Sequence, residues 1–192
     1  QVTNACLTCR LPPWHKVGVK PISSIFLALT MVTATMALAS VGTAKQAAPA
    51  AHAGSSGLPT PRFVSLSAEI VNMRAGPGVR YPITWVYRRV GVPLMVMAEF
   101  DYWRKVRDAD GTEGWMHRSL LSGRRMAVLR TDVGELRKAP KGDAPVILRA
   151  EAGVMGKLLA CQGAWCQMEL NEMRAWLPRA DIFGALPNEQ FQ

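Results

Sequence analysis

Hydrophobic and polar residues alternate in short runs through the C-terminal part of the chain. Residues 93–98 and Trp103–Arg107 follow a period of two, which predicts β-strands. Residues 108–112 contain an Asp-Gly pair, which supplies the positive φ angles that a tight hairpin needs. Residues 114–117 then form the returning strand. Because no segment shows a sustained helical period, the pattern predicts a small all-β barrel.

An internal repeat divides this region into two similar units. Short blocks of sequence recur in the same order at an offset of about 62 residues, which is the signature of a repeated structural unit. Trp103, for example, corresponds to Trp165. The repeat predicts one barrel over residues 62–125, a second over residues 126–186, and a tail at 187–192.

The N-terminal segment has the pattern of an export signal. Residues 22–41 are uncharged and apolar, and they follow Lys16 and Lys20. Ala-ended cleavage sites lie between residues 39 and 53, as in a secretory signal peptide. A membrane anchor is the alternative, since a bilayer-spanning helix needs roughly 20 apolar residues. Threonines interrupt the apolar core, so we expect a cleaved signal peptide within residues 1–44 and no membrane span after cleavage.

A linker connects the signal peptide to the first barrel. Residues 45–61 are mainly Ala, Pro, Gly and Ser without apolar periodicity, which predicts a flexible tether. The formal charge of the chain is +9, but part of this excess lies in or beside the export segment. The remaining positive bias is too weak to indicate a nucleic-acid partner. Because of the predicted signal peptide, we expect a periplasmic or secreted protein.

The first unit carries a family pattern. It reads Val-Asn-Met-Arg-Ala-Gly-Pro-Gly at 71–78, then Trp103 and Val106, then Asp-Gly-Thr-Glu-Gly-Trp at 110–115. This pattern resembles the bacterial SH3-like domain, and the second unit matches it with a degraded start. The resemblance implies two tandem SH3-like β-barrels. It also implies a place in the cell envelope, where several members of this family bind cell-wall peptide or glycan.

The resemblance places a ligand groove beside Trp103. In barrels of this type the Trp lies in the groove and the Val three residues later faces the core, and odd spacing along a strand supports this split. The same alternation turns Arg104 inward, where we expect it to reach the barrel rim. The candidate ligand-binding residues are Tyr81, Trp85, Trp103, Trp115, His117 and Leu120. The alternative is that these rings cover a small core.

The second unit has lost most of this cluster. Ala144, Leu148 and Asp181 stand where the first unit has aromatic or apolar candidates. We therefore expect the second barrel to support the first or to bind a different ligand.

Two cysteines flank a short hairpin in the second unit. Cys161 and Cys166 are the only cysteines that remain after export, and an oxidising compartment favours a disulfide between them. A zinc or redox site is the alternative, but no histidine lies near this spacing. The sequence therefore predicts no metal and no cofactor.

The catalytic repertoire of the two units is small. His117 is the only histidine outside the export segment and linker, and no nucleophile, zinc-protease or phosphate-loop motif accompanies it. We expect a non-catalytic protein that binds peptidoglycan or an envelope peptide. The alternative is a structural adaptor whose basic strip of Arg88, Arg89 and Lys105 contacts another envelope protein.

Overall fold

A computed structural model of the chain describes residues 16–18 and 52–191. The predicted signal peptide, apart from 16–18, and the predicted linker as far as residue 51 lie outside the described residues. Within the described ranges, no helix has the length and apolar character to cross a membrane. Regular structure in these ranges consists of β-strands and two three-residue 3-10 helices, which confirms the predicted all-β class.

The first ten strands are β1 (Lys16–Gly18), β2 (His52–Ala53), β3 (Pro59–Thr60), β4 (Arg62–Leu66), β5 (Val71–Arg74), β6 (Ile83–Tyr87), β7 (Pro93–Phe100), β8 (Trp103–Arg107), β9 (Glu113–His117) and β10 (Leu121–Ser122), with a 3-10 helix at Arg118–Leu120. Eight of them form the first antiparallel sheet, in the order β1-β6-β5-β9-β8-β7-β4-β10. The other two, β2 and β3, pair with each other and lie between β1 and β4 in the sequence.

The second antiparallel sheet contains β11 (Met126–Leu129), β12 (Val133–Arg137), β13 (Val146–Glu151), β14 (Met155–Gln162), β15 (Trp165–Leu170), β16 (Met173–Pro178) and β17 (Ile182–Phe183), with a 3-10 helix at Arg179–Asp181. Its strand order is β13-β12-β16-β15-β14-β11-β17. This order repeats the arrangement of β4 to β10 in the first sheet.

Each sheet wraps around its own core. In the first sheet, alternate side chains of β4 to β9 meet in one buried cluster, so the sheet curves into a small barrel. Tyr87 belongs to this core, and its hydroxyl donates to Asp108 at 2.6 Å. Burial, followed by this hydrogen bond and the nearby negative charge, raises the pKa of Tyr87. Asp108 also accepts the amide protons of Asp110 and Thr112. It thereby shapes the hairpin in which Gly111 adopts the positive φ that the sequence predicts.

Equivalent hairpins in the two barrels are stabilised by different chemistry. Cys161 and Cys166 stand opposite each other on β14 and β15 and form the predicted disulfide, with a Cα–Cα distance of 4.1 Å. The matching positions on β7 and β8 are Glu99 and Arg104, which also stand opposite each other. The Arg104 Nε lies 3.0 Å from the Glu99 Oε1. An ion pair in the first barrel therefore occupies the place of the disulfide in the second.

Arg104 does not reach the barrel rim, so that expectation was wrong. Its side chain is only 6% exposed, because Glu99 neutralises it within the barrel. The Arg104 Nη1 also donates to the carbonyl of Asp101 at 2.8 Å. A buried guanidinium with a carboxylate and a carbonyl as partners has no need to extend to solvent.

Candidate functional site

The outer face of β8 and β9 carries three cross-strand pairs. Trp103 stands opposite His117, Lys105 opposite Trp115, and Arg107 opposite Glu113. The faces divide as predicted, since Trp103 and Lys105 are half-buried on the outside while Val106 is fully buried. We call these three pairs the outer face of the first barrel.

Two rings form the aromatic end of the outer face. The ring centroids of Trp103 and His117 lie 5.5 Å apart, with an angle of 79° between the planes. This edge-to-face arrangement is a favourable geometry for aromatic rings. The Nδ1 of His117 lies 2.7 Å from the Ser119 hydroxyl and faces the Ser119 amide at 3.4 Å. His117 thereby caps the short 3-10 helix that follows it.

Tyr102 extends this aromatic end, and the sequence reasoning missed it. Tyr102 is 50% exposed, and its ring centroid lies 6.1 Å from that of His117. The guanidinium of Arg118 lies over the Tyr102 ring, 4.8 Å from its centroid. The only available sequence signal was its place at the hairpin tip, directly before Trp103.

The other end of the outer face is charged. The Lys105 ammonium and the Arg107 guanidinium contact different oxygens of the Glu113 carboxylate, at 3.0 and 2.5 Å. Hydrogen bonds from Lys105 and then from Arg107 lower the pKa of Glu113. Two cations therefore share one ionised carboxylate, so this end of the outer face has a net positive charge.

The Arg-Ala-Gly-Pro motif builds the loop that carries Tyr81. The Arg74 Nη1 donates to the carbonyls of Val79 and Tyr81 at 2.9 and 2.8 Å. The Tyr81 ring packs on Gly76 so closely that a Cβ at that position would overlap with the ring. Since Arg74 stands opposite Trp115 across β5 and β9, the loop adjoins the outer face.

Trp85 and Leu120 pack against the core of the first barrel instead of lying on the outer face. Trp85 stands opposite the fully buried Met73 and packs against the core of the first barrel. Leu120, in the 3-10 helix, packs against the same core. The structure therefore brings together Trp103, Trp115 and His117, with Tyr81 on the adjoining loop, while Trp85 and Leu120 cover the core.

The second barrel presents a weaker version of this surface. Trp165 stands opposite Pro178, and Trp176 stands opposite Gln167. Both tryptophans are retained, but Pro178 replaces the histidine of the first barrel and Gln167 replaces the lysine, so the surface loses the imidazole and one positive charge.

A cavity of about 400 Å³ opens on the first barrel, and none of these tryptophans lines it. The sequence reasoning did not predict it. Its lining combines apolar side chains with three arginines, and comprises Ser56, Leu58, Arg62, Phe63, Val64, Val96, Arg104, Arg118, Leu121, Ser122 and Gly123. Within residues 52–191, no group of three or more His, Cys, Asp or Glu side chains is placed to hold a metal ion.

Comparison with known proteins identifies both barrels. Residues 67–123 and 131–184 each match the family described as Bacterial SH3 domain. The structures of NlpC2 and NlpC1 from Trichomonas vaginalis are similar at 11% identity and a TM-score of 0.31. They align with 65% and 68% of this chain, which spans 48% of each. No curated protein sequence matches. Because the two family matches cover more than half of the sequence, the chain belongs to the bacterial SH3 domain family.

Proposed function

We propose that this chain is a non-catalytic binding protein of the cell envelope, which binds peptidoglycan or an envelope peptide through the outer face of the first barrel. Bacterial SH3 domains commonly bind the cell wall and are typically extracytoplasmic. The observation that supports this site most strongly is the Trp103–His117 ring pair beside the exposed Tyr102.

The chemistry of the outer face suits such a ligand. Aromatic rings with polar tips pack on sugar faces and on peptide backbones, and they can donate a hydrogen bond at the same time. The cations Lys105 and Arg107, which share the single carboxylate of Glu113, attract the carboxylates of cell-wall stem peptides. The aromatic end would therefore position the ligand and the charged end would add attraction.

We propose no catalytic step. The Ser119 hydroxyl lies 2.7 Å from His117, but it belongs to the turn that His117 caps. An activated serine needs its base to be oriented by a third group and its hydroxyl to face a substrate cleft. A capping role accounts for this contact without an activated nucleophile.

The matched tryptophans of the two barrels test the site. Trp103→Ala should reduce binding to purified cell-wall sacculi by about tenfold or more, since a central aromatic anchor contributes roughly 2 kcal/mol. Trp165→Ala is the control, because Trp165 occupies the equivalent position. We expect it to change binding by less than about twofold, because it has no histidine partner.

Circular dichroism must show that both variants stay folded. Equal losses in two folded variants would contradict the proposed site. Binding that survives Trp103→Ala would favour the adaptor alternative, with contacts through Arg88, Arg89 and Lys105.

A further inference from the structure

The two barrels carry equivalent side chains at one end, which holds the Glu99–Arg104 ion pair in the first barrel and the Cys161–Cys166 disulfide in the second. Arg62 stands opposite Val96 in the first barrel. In the second barrel, the backbone carbonyl of Arg125 accepts a hydrogen bond from the amide of Leu158, which is the equivalent of Val96. In each barrel, the 3-10 helix also begins with an arginine, and a glycine directly follows the last strand. The equivalent pairs, first barrel before second, are Arg62 and Arg125, Arg118 and Arg179, and Gly123 and Gly184.

In the second barrel these groups hold a peptide segment. Residues 185–191, which we call the C-terminal tail, follow Gly184 and turn back across this end of the barrel. The Arg179 Nη1 donates to the carbonyls of Leu186 and Pro187 at 2.6 and 2.7 Å. Phe191 bridges to Cys161, with its carbonyl 3.0 Å from the Cys161 amide nitrogen, and packs against the second core.

A partly buried ion pair fixes the middle of the tail. The Arg125 Nη2 lies 2.8 Å from the Glu189 Oε2, and Nη1 contacts the other oxygen. Burial alone would raise the pKa of Glu189, but Arg125 and the Leu186 amide lower it, so the carboxylate stays ionised. The Arg125 guanidinium also lies over the Phe191 ring at 4.7 Å. The second barrel thus binds two backbone carbonyls, the Glu189 carboxylate and the Phe191 ring of the tail.

The first barrel has the equivalent side chains, but within residues 52–191 no segment crosses this end of the barrel after Gly123 as the tail does after Gly184. After Gly123 the chain continues through Arg124 and Arg125 into β11, so it leaves this end of the barrel. The equivalent place is the cavity of about 400 Å³, a volume within the range of ligand pockets. On one side of this cavity, residues 54–58 cover Glu99, and the Ser56 amide donates to the Glu99 Oε2 at 2.7 Å.

The charge of this cavity favours an acidic occupant. Three arginines line it, and the Glu99 carboxylate beneath them contacts two, Arg62 at 2.5 Å and Arg104 at 3.0 Å. Arg118, the equivalent of Arg179, is exposed and lies over the Tyr102 ring. Its guanidinium can therefore turn toward a ligand without breaking a buried ion pair.

We propose that the cavity of the first barrel is a second binding site, which takes an acidic peptide segment with a Leu-Pro-like pair from another protein. Arg118 would donate to the backbone carbonyls of that pair, as Arg179 does in the second barrel. The C-terminal tail of the same chain is bound by Arg125 and Arg179, so we assign the occupant to a separate polypeptide. This site does not depend on the proposed function of the outer face.

A labelled peptide with the sequence of residues 185–191, capped at both ends, tests the proposal by fluorescence anisotropy. We expect saturable binding to the full chain, reduced about tenfold or more by Arg118→Ala, because each lost charge-assisted hydrogen bond weakens affinity on this scale. Arg179→Ala is the matched variant and should not weaken binding. Arg130→Ala controls for loss of a surface charge, and Trp103→Ala should leave peptide binding unchanged whether or not sacculi bind.

Several results would overturn the proposal. Absence of binding to the unaltered chain would do so, as would equal affinity of the Arg118→Ala variant. Weaker binding to Arg179→Ala would place the peptide in the second barrel instead. Self-association in sedimentation, lost both in Arg118→Ala and in a chain shortened to residue 185, would identify a second copy as the occupant and so overturn the assignment to another protein.

Discussion

The ion pair inside the first barrel should be essential for its stability. The Glu99 side chain is completely buried, and its Oε1 lies 2.5 Å from the Arg62 Nη2 and 3.0 Å from the Arg104 Nε. Glu99→Gln keeps the shape of the side chain but leaves the buried Arg104 guanidinium without a counter-charge. Removing one partner of a buried ion pair costs about 3–5 kcal/mol. A barrel of this size has only about 3–5 kcal/mol of stability from its core. We therefore expect the first barrel of this variant to be largely unfolded.

Urea denaturation followed by circular dichroism measures the effect. Glu113→Gln is the matched control, because Glu113 also contacts two cations but lies on the surface with a third of its side chain exposed. That change should reduce the free energy of unfolding by less than about 1 kcal/mol. A Glu99→Gln variant within about 0.5 kcal/mol of the unaltered chain, a loss typical of surface changes, would refute the reasoning.

The second barrel suggests how to replace the ion pair. Glu99 and Arg104 have the same cross-strand register as Cys161 and Cys166. The double change Glu99→Cys and Arg104→Cys removes both buried charges and should form a second disulfide. We expect this variant to unfold at a higher urea concentration than Glu99→Gln, and a free pair of thiols in mass spectrometry would contradict the equivalence.

Two further predictions concern stability. Burial alone would raise the pKa of Glu99, but the Ser56 amide and Arg62 lower it to about 2 from its ordinary value of 4.5. Glu99 therefore contributes about 3 kcal/mol that is complete above pH 4.5 and is lost as the pH falls toward 2. Acid titration should show a smaller loss of stability over this range in any Glu99→Gln chain that remains folded, and equal slopes would contradict the assignment. Reducing the Cys161–Cys166 disulfide should lower the stability of the second barrel by about 2 kcal/mol, because the closed loop is short. An unchanged urea midpoint in reductant would contradict this.

Strand periodicity explains which parts of the site were predictable. Alternation along β8 separates Trp103 from Val106 whatever the surrounding structure, so the outer face followed from the sequence. The disulfide followed from the spacing of Cys161 and Cys166 and the expected compartment. Both depend on local geometry within a single hairpin.

The less predictable features depend on contacts between segments. Trp85 faces the core because β6 pairs with β5, so that Trp85 stands opposite the buried Met73 and on the same face of the strand as the buried Tyr87. The burial of Arg104 depends on Glu99 across the hairpin, although its equivalence to the cysteine pair was present in the repeat. The tail is held by hydrogen bonds from Arg179 to two backbone carbonyls. Since every residue has a backbone carbonyl, the sequence does not show which ones are bound.

Co-sedimentation with purified sacculi tests the central claim most directly. A chain that lacks the predicted export segment is mixed with insoluble peptidoglycan, and the protein left in solution is measured against increasing amounts of wall material. We predict saturable depletion that weakens as salt is raised, because cations contribute to the outer face. Protein that stays in solution at every amount of sacculi, while still folded, would contradict binding to the cell wall.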